Sequence, residues 1–213
     1  MNWEILEITL RSIYISGTAT LLATLFGLPL GVIIGVKDFV GKRILKGIFN
    51  AFLGLPTVVL GLILYLMFRQ AGPLGFLGLL FSPLAVIIGQ AILITPIIIS
   101  LTTSAVESID PEIKDLAKTL GASETQASMV VLKESISGAL LAVIGGFNRA
   151  IAELGIVYMV GGDIPGLTRV LTTTIALQRD MGQIEFGLSL AGILLFIVFA
   201  ISLIINLVQR QRK

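Results

Sequence analysis

Long, uniformly apolar stretches separated by short polar ones make up this sequence, and the pattern predicts helices that cross a membrane. A crossing needs roughly 20 apolar residues, because a helix rises 1.5 Å per residue through about 30 Å of hydrocarbon. Barrel strands would alternate apolar and polar positions, and these stretches do not alternate. We therefore expect an all-α, polytopic membrane protein with about five transmembrane helices. The predicted spans are residues 12–36, 47–68, 83–106, 138–160 and 186–208.

Lysine and arginine are unevenly distributed between the two sides that these spans define. Ten lie on one side: Lys37, Lys42, Arg43, Lys46, Lys114, Lys118, Lys133, Arg210, Arg212 and Lys213. Four lie on the other side: Arg11, Arg69, Arg169 and Arg179. Cytoplasmic loops carry the excess of lysine and arginine. This predicts the N-terminus outside, the C-terminus in the cytoplasm, and the polar loop of residues 107–137 in the cytoplasm as well.

Composition removes several classes of chemistry. The chain is 55% hydrophobic and 13% charged, and it contains neither cysteine nor histidine. Thiol nucleophiles, histidine bases and most zinc sites are therefore excluded. The net charge is +2, without a basic tract, so nucleic-acid binding has no support. We expect no enzyme activity, catalytic residue, metal site or cofactor.

Small residues and prolines punctuate the predicted spans. Gly27, Gly31 and Gly35 recur every fourth residue, which predicts close contact between two helix backbones. Three prolines also fall inside spans and tend to kink helices, namely Pro29, Pro56 and Pro96. Packing irregularities and hinges for a rocking motion are both open interpretations of these prolines.

The polar loop after the third span carries signals for two short helices joined by a tight turn. Asp110 is a good helix N-cap, and Pro111 suits the first helical position. Gly121 can end that helix with a positive φ. Ser123 and Gln126 have the spacing of a capping box for a second helix.

This loop resembles the EAA loop of ABC-importer permeases, which follows the pattern Glu-Ala-Ala, three residues, then Gly. Asp115-Leu116-Ala117 fall on the first three positions and Gly121 on the last, with Asp for Glu and Leu for the first Ala. The resemblance implies a coupling helix that docks on a cytoplasmic ATPase. The residues expected to contact it are Asp115, Ala117, Leu120, Gly121 and Ala122. No Gly-x-x-x-x-Gly-Lys-Ser/Thr loop occurs, so ATP would be bound by a separate subunit.

Two ionisable residues, Arg149 and Glu153, lie inside the fourth predicted span. They are four residues apart and therefore share one helix face. Charges inside a membrane are costly unless they have partners or contact water. An ion pair that fixes packing is the favoured interpretation, and the alternative is that Arg149 lends positive potential to an anion pathway.

A second resemblance covers nearly the whole chain. Residues 147–155, with Arg149, Glu153 and Gly155, look like a stretch of the oxyanion-importer permeases of the sulfate, molybdate and tungstate group. Residues 161–174 are similar to the outer loop of tungstate-type permeases, with Asp163 in place of Asn. The outer-loop residues Arg169 and Arg179 could meet a binding protein or attract an anion, or could be loop charges balanced by acidic neighbours.

The resemblance implies a single type-1 permease domain, residues 1–213, in the cytoplasmic (inner) membrane of a prokaryote. The implied cargo is an oxyanion, tungstate or molybdate first, with sulfate or phosphate as alternatives. The implied partners are a second copy of the chain, two ABC ATPase subunits, an extracytoplasmic substrate-binding protein and membrane lipid. A secondary transporter or channel would require internal repeats and intramembrane carboxylates, of which only Glu153 is a candidate. An intramembrane enzyme is disfavoured by the composition.

Overall fold

The computed structural model describes residues 2–210, with side chains described for residues 3–204. No strand occurs in that range, so the all-α prediction is confirmed. A 3₁₀ turn at Gly75–Leu77 and a π-helical stretch at Val157–Gly161 accompany the α-helices. In chain order these helices are α1 (Asn2–Val36), α2 (Lys42–Phe52), α3 (Thr57–Phe68), α4 (Pro83–Glu107), α5 (Pro111–Thr119), α6 (Glu124–Ile151), α7 (Leu171–Asp180) and α8 (Ile184–Arg210).

Four of these helices, α1, α4, α6 and α8, are each long and apolar enough to cross a membrane. A fifth span results if the bent pair of α2 and α3 counts as one crossing. The prediction of about five spans is confirmed, and the third predicted span, residues 83–106, differs from α4 by a single residue. Which side each terminus faces stays a prediction.

The second predicted span, residues 47–68, is wrong as a single helix. The chain leaves α2 after Phe52 and enters α3 at Thr57, with Pro56 in extended backbone between them. Proline has no N–H to donate and disfavours helical backbone at the preceding residue, so the break falls where Pro56 lies. By contrast, Pro29 and Pro96 lie inside the continuous helices α1 and α4.

The fourth predicted span, residues 138–160, also has the wrong bounds. Helix α6 already begins at Glu124 and ends at Ile151, and the chain then turns before its π-helical stretch. Hydropathy excluded the polar first turns of α6. Backbone hydrogen bonds nevertheless continue through them, because helix formation does not require apolar side chains.

The chain forms two compact units, each assembled from separate stretches of sequence. The first unit comprises Met1–Leu22, Leu55–Ile94 and Phe147–Lys213. Within it, Ile8, Leu171 and Leu190 form a buried core that joins α1, α7 and α8. The backbone N–H of Leu171 donates to the buried Ser12 hydroxyl oxygen at 2.8 Å, so a side chain of α1 satisfies the start of α7.

The second unit comprises Ala23–Gly54 and Thr95–Gly146. Within it, α1 packs closely against α4 along the predicted glycine repeat. A Cβ on Gly31 would lie 2.7 Å from Thr102 Cβ, and one on Gly35 would lie 2.6 Å from Val106 Cβ. Only glycine permits this approach, and the hydroxyl of Thr103 uses it to donate to the Gly31 carbonyl at 3.1 Å.

Candidate functional sites

Helix α5 and the turn that follows it are built by local capping. The Asp110 carboxylate accepts the N–H of Glu112 at 3.0 Å, and Pro111 occupies the first turn. At the other end Gly121 has a φ of 90°, and the N–H of Ala122 returns to the Ala117 carbonyl at 3.0 Å. This left-handed position favours glycine over residues that have a Cβ. We call residues 110–123 the coupling segment.

The capping box predicted at the start of α6 is present. The backbone N–H of Ser123 donates to Gln126 Oε1 at 2.8 Å, and the Gln126 N–H donates to Ser123 Oγ at 3.3 Å. Each side chain therefore satisfies the other residue's backbone donor. Both ends of the coupling segment are fixed by hydrogen bonds between residues close in sequence.

A carboxylate ties α5 to the first turn of α6. Glu124 lies 2.5 Å from both Lys114 Nζ and Lys118 Nζ, through its two oxygens. The hydrogen bond to the Glu124 carboxylate raises the pKa of Lys118 above its ordinary value. Because these side chains contact water, the pairs orient the two helices and add little to stability.

The five predicted ATPase-contact residues lie together on the coupling segment. Asp115, Leu120 and Gly121 are exposed, whereas Ala117 and Ala122 are half-buried. Leu120 is 81% exposed, a large apolar side chain in water at the tip of the turn.

Sequence reasoning left Leu116 out of the contact set. It lies four residues before Leu120 and is 62% exposed, so the two leucines form one apolar face. The available signal was the four-residue spacing of Leu116 in α5 and Leu120 at its C-cap.

The predicted ion pair joins a buried carboxylate to a partly exposed guanidinium. Arg149 Nη1 donates to Glu153 Oε2 at 2.6 Å. The side chain of Glu153 is 2% exposed and that of Arg149 is 37% exposed. The two side chains thus pair as expected, although Glu153 lies beyond the end of α6.

Glu153 also caps the break in the helix. Its Oε1 accepts the N–H of Ile156 at 3.1 Å, at the start of the next helical turn. The carbonyl of Glu153 accepts the Thr172 hydroxyl at 2.8 Å, and the carbonyl of Ala150 accepts Gln90 Nε2 at 3.0 Å. Buried backbone groups need such partners, so Glu153 has a structural task whatever Arg149 does.

The contacts of Gln90 and Thr172 with this break were not predicted from the sequence. Each of these two side chains donates a hydrogen bond to a backbone carbonyl at the break in the helix. The available signal for Gln90 was its position as an amide inside an uncharged, apolar run.

The two outer-loop arginines both have acidic partners. Arg169 Nη2 lies 3.1 Å from Asp163 Oδ2, and the carbonyl of Arg169 accepts Arg11 Nη1 at 3.1 Å. Arg179 pairs with Asp180 at 2.7 Å on the surface. The balanced-charge interpretation therefore agrees with the geometry. Among the described residues, no group of three or more His, Cys, Asp or Glu side chains could hold a metal ion.

Apolar helices joined by a capped polar segment define a multi-pass membrane protein. The chain belongs to the family described as the binding-protein-dependent transport system inner membrane component, whose sequence model matches residues 27–212. It is therefore a multi-pass inner-membrane protein of a transport system.

Two relatives are similar to this chain along most of its length. The tungstate uptake system permease protein TupB of Peptoclostridium acidaminophilum is 36% identical over 208 residues, which are 98% of this chain and 91% of the relative. A probable anion ABC transporter permease protein of Haloferax volcanii is 36% identical over 93% of this chain and 88% of its own length.

A solved structure has the same fold. The inward-facing MetNI methionine ABC transporter has a chain that matches with a TM-score of 0.75 and 20% identity, over 97% of this chain and 96% of that one. At this identity the match speaks for the fold alone.

Proposed function

We propose that this chain is the permease subunit of an ATP-driven importer that moves an oxyanion, tungstate in the first place, across the inner membrane. The observation that carries the proposal is the coupling segment, a capped polar helix and glycine turn between two apolar helices, with exposed leucines at its tip. Identity of 36% with a tungstate permease along 98% of the chain supports the cargo. Molybdate, sulfate and phosphate are the competing cargoes because they present the same tetrahedral oxyanion chemistry.

The proposed assembly contains two copies of this chain, two ATPase subunits on the cytoplasmic side and a binding protein outside. Five crossings are few for a gated pathway, and twofold symmetry would double them. The sequence has no phosphate-binding loop of its own, so ATP hydrolysis belongs to the ATPase subunits. The charge asymmetry supports a cytoplasmic location for the coupling segment and the C-terminus, where an ATPase could reach them.

The coupling segment is proposed to receive the ATPase through Asp115, Ala117, Leu120, Gly121 and Ala122, with Leu116 added from its exposure. Leu116 and Leu120 offer an apolar face whose burial would favour association. The rigid caps at both ends of the segment support transmission of movement, because a loosely held loop would absorb it.

Arg149 and Glu153 are proposed to have different roles. Glu153 is buried and holds both the helix break and the guanidinium, so its role is structural. Arg149 keeps 37% of its side chain exposed, and the proposal assigns its positive charge to the anion pathway.

The test uses the complete importer in proteoliposomes, with radiolabelled tungstate, molybdate and sulfate offered to each preparation. The variant Gly121→Val forces a side chain into a left-handed turn and should leave ATP hydrolysis while lowering uptake about tenfold or more. Gly182→Val is the matched control, since Gly182 has a φ of 74° and open space around it but lies outside the coupling segment.

Normal uptake in Gly121→Val would contradict the coupling role. Equal loss of uptake in both variants would indicate a general effect of strained backbone. Uptake of none of the three oxyanions by the unaltered importer would contradict the cargo assignment.

A further inference from the structure

Two lysines of α2 hold the last residue of α4. Lys42 Nζ lies 3.2 Å from Glu107 Oε1, and Lys46 Nζ donates to Glu107 Oε2 across 61 positions of sequence. Both oxygens of the carboxylate are therefore paired with cations. The Glu107 side chain is 28% exposed, so water screens these pairs only in part.

Lys42 extends the same arrangement to the end of α1. Its ammonium also lies 3.2 Å from the Gly35 carbonyl oxygen and 3.3 Å from Asp38 Oδ1. An ammonium has three donors, and here they meet acceptors on α1, on the following loop and on α4. We call Gly35, Asp38, Lys42, Lys46 and Glu107 the Lys42 cluster.

Close packing lies directly beside this cluster. Gly35 touches α4 at Val106, the neighbour of Glu107, where a Cβ would lie 2.6 Å from the valine Cβ. The ends of α1, α2 and α4 are thus joined by charges and by contact within the second unit. Asp110, the cap of α5, lies only three residues beyond Glu107.

We propose that Glu107 is a positioning residue for coupling. By binding both lysines of α2, it makes the peptide that leaves α4 move together with the ends of α1 and α2. A displacement of α5 then also moves the ends of α1, α2 and α4, and is not taken up by bending of the backbone at residues 108–110. The proposal rests on the ATPase-coupling function proposed above. It assigns the transmission of movement to a carboxylate outside the coupling segment.

The first test compares Glu107→Gln with Glu134→Gln in the complete importer. Glu134 is an exposed carboxylate on α6, so its variant removes the same charge outside the Lys42 cluster. We expect Glu107→Gln to lower the oxyanion taken up per ATP hydrolysed by about fivefold, the upper range for a partly screened ion pair. ATPase copurification should stay unchanged, and Glu134→Gln should behave as the unaltered chain.

The second test replaces the ion pair by a covalent link. The chain contains no cysteine, so Lys46→Cys with Glu107→Cys gives this chain two thiols and no others. Joined by a cleavable bifunctional thiol reagent, this double variant should recover uptake per ATP to near the unaltered level. Without the reagent it should resemble Glu107→Gln.

Each outcome decides the proposal. Unchanged uptake per ATP in Glu107→Gln overturns it, as does uptake that is lost on crosslinking and returns on cleavage, since α2 and α4 would then have to separate. Lost ATPase binding in Glu107→Gln also overturns it, because the residue would then serve partner contact. ATPase binding by the unaltered chain is measured before any Glu107 variant is tested. If the unaltered chain binds no ATPase, the proposed coupling function itself is wrong.

Discussion

The two units of the molecule use different cations for their ion pairs. Among the residues whose side chains the structure describes, the pairs of the first unit are made by arginine, as at Arg11, Arg149, Arg169 and Arg179. In the second unit they are made by lysine, as at Lys42, Lys46, Lys114 and Lys118. A guanidinium is planar and weakly hydrated and suits buried carboxylates, whereas an ammonium is strongly hydrated and adjustable.

Two carboxylates at opposite ends of α6 show what this difference means. Glu124, at its start, contacts two lysines in water, and Glu153, just past its end, is 2% exposed and contacts one arginine. Removing one partner of a solvated ion pair has little effect on stability. Removing one partner of a buried ion pair leaves an uncompensated charge in the interior and is destabilising. The buried Arg149–Glu153 pair is therefore the one in the first unit whose loss we expect to lower stability, whereas the lysine pairs of the second unit join helix ends near the surface.

Among the variants that test this comparison, Arg149→Met is expected to have the largest effect on the free energy of unfolding. It leaves the Glu153 carboxylate buried without its cation, which should lower the free energy of unfolding by about 3 kcal/mol, the lower end for a broken buried pair. Unfolding of the detergent-solubilised protein, followed by circular dichroism, measures this. Arg149→Lys is the conservative control and should lose less.

The double variant Arg149→Met, Glu153→Gln separates stability from transport. Glutamine keeps an oxygen for the Ile156 N–H and removes the stranded charge, so most of the lost stability should return. If uptake stays low in the recovered protein, the charge of Arg149 serves the pathway. Restored uptake would leave only the structural role for this ion pair.

Thr172→Val should have an intermediate effect. Valine matches the shape of threonine but cannot donate to the Glu153 carbonyl, which would remain buried without that bond. We expect a loss of about 1–2 kcal/mol in the same unfolding measurement. Thr18→Val is the control, because the Thr18 hydroxyl donates only locally, to the Tyr14 carbonyl, at an exposed position. Equal effects of the two changes would contradict the importance of the helix break.

Glu124→Gln should have the smallest effect on stability. Its two lysine partners are solvated, so we expect no resolved shift in the unfolding midpoint. The hydrogen bond to Glu124 also raises the pKa of Lys118, which affects the pH dependence of stability only at high pH. A lysine whose pKa is raised by folding stabilises fully below its unfolded pKa of about 10.4 and loses that contribution only as pH rises through the folded value. The effect of this pair on the unfolding midpoint should therefore not change with pH near neutrality. A change in that effect near neutral pH would contradict the interpretation that water screens the pair.

The coupling segment could be predicted because its determinants are local. Asp110, Gly121, Ser123 and Gln126 act on backbone groups within five residues of themselves, and their hydrogen bonds agree with expectation. The apolar core of α4 was predictable for a similar reason, since length and composition together define a crossing helix.

The helix breaks and the distant pairs could not be predicted in the same way. A hydropathy sum over residues 47–68 does not register that Pro56 divides them. The polar start of α6 was omitted because Glu124 and Lys133 lower the sum without disturbing the helix. Lys46 pairs with Glu107, which lies 61 positions further along the chain. The sequence alone does not indicate which carboxylate is the partner of Lys46.

The exposure of Leu116 and Leu120 has a consequence for biogenesis. Exposed apolar surface marks an interaction site or an aggregation liability, and here nothing within the described part of the chain covers the two leucines. A copy inserted without the proposed ATPase partner would present that face continuously. The cellular lifetime of this subunit should then follow the supply of the proposed partner, and a pulse-chase with and without that partner would measure it.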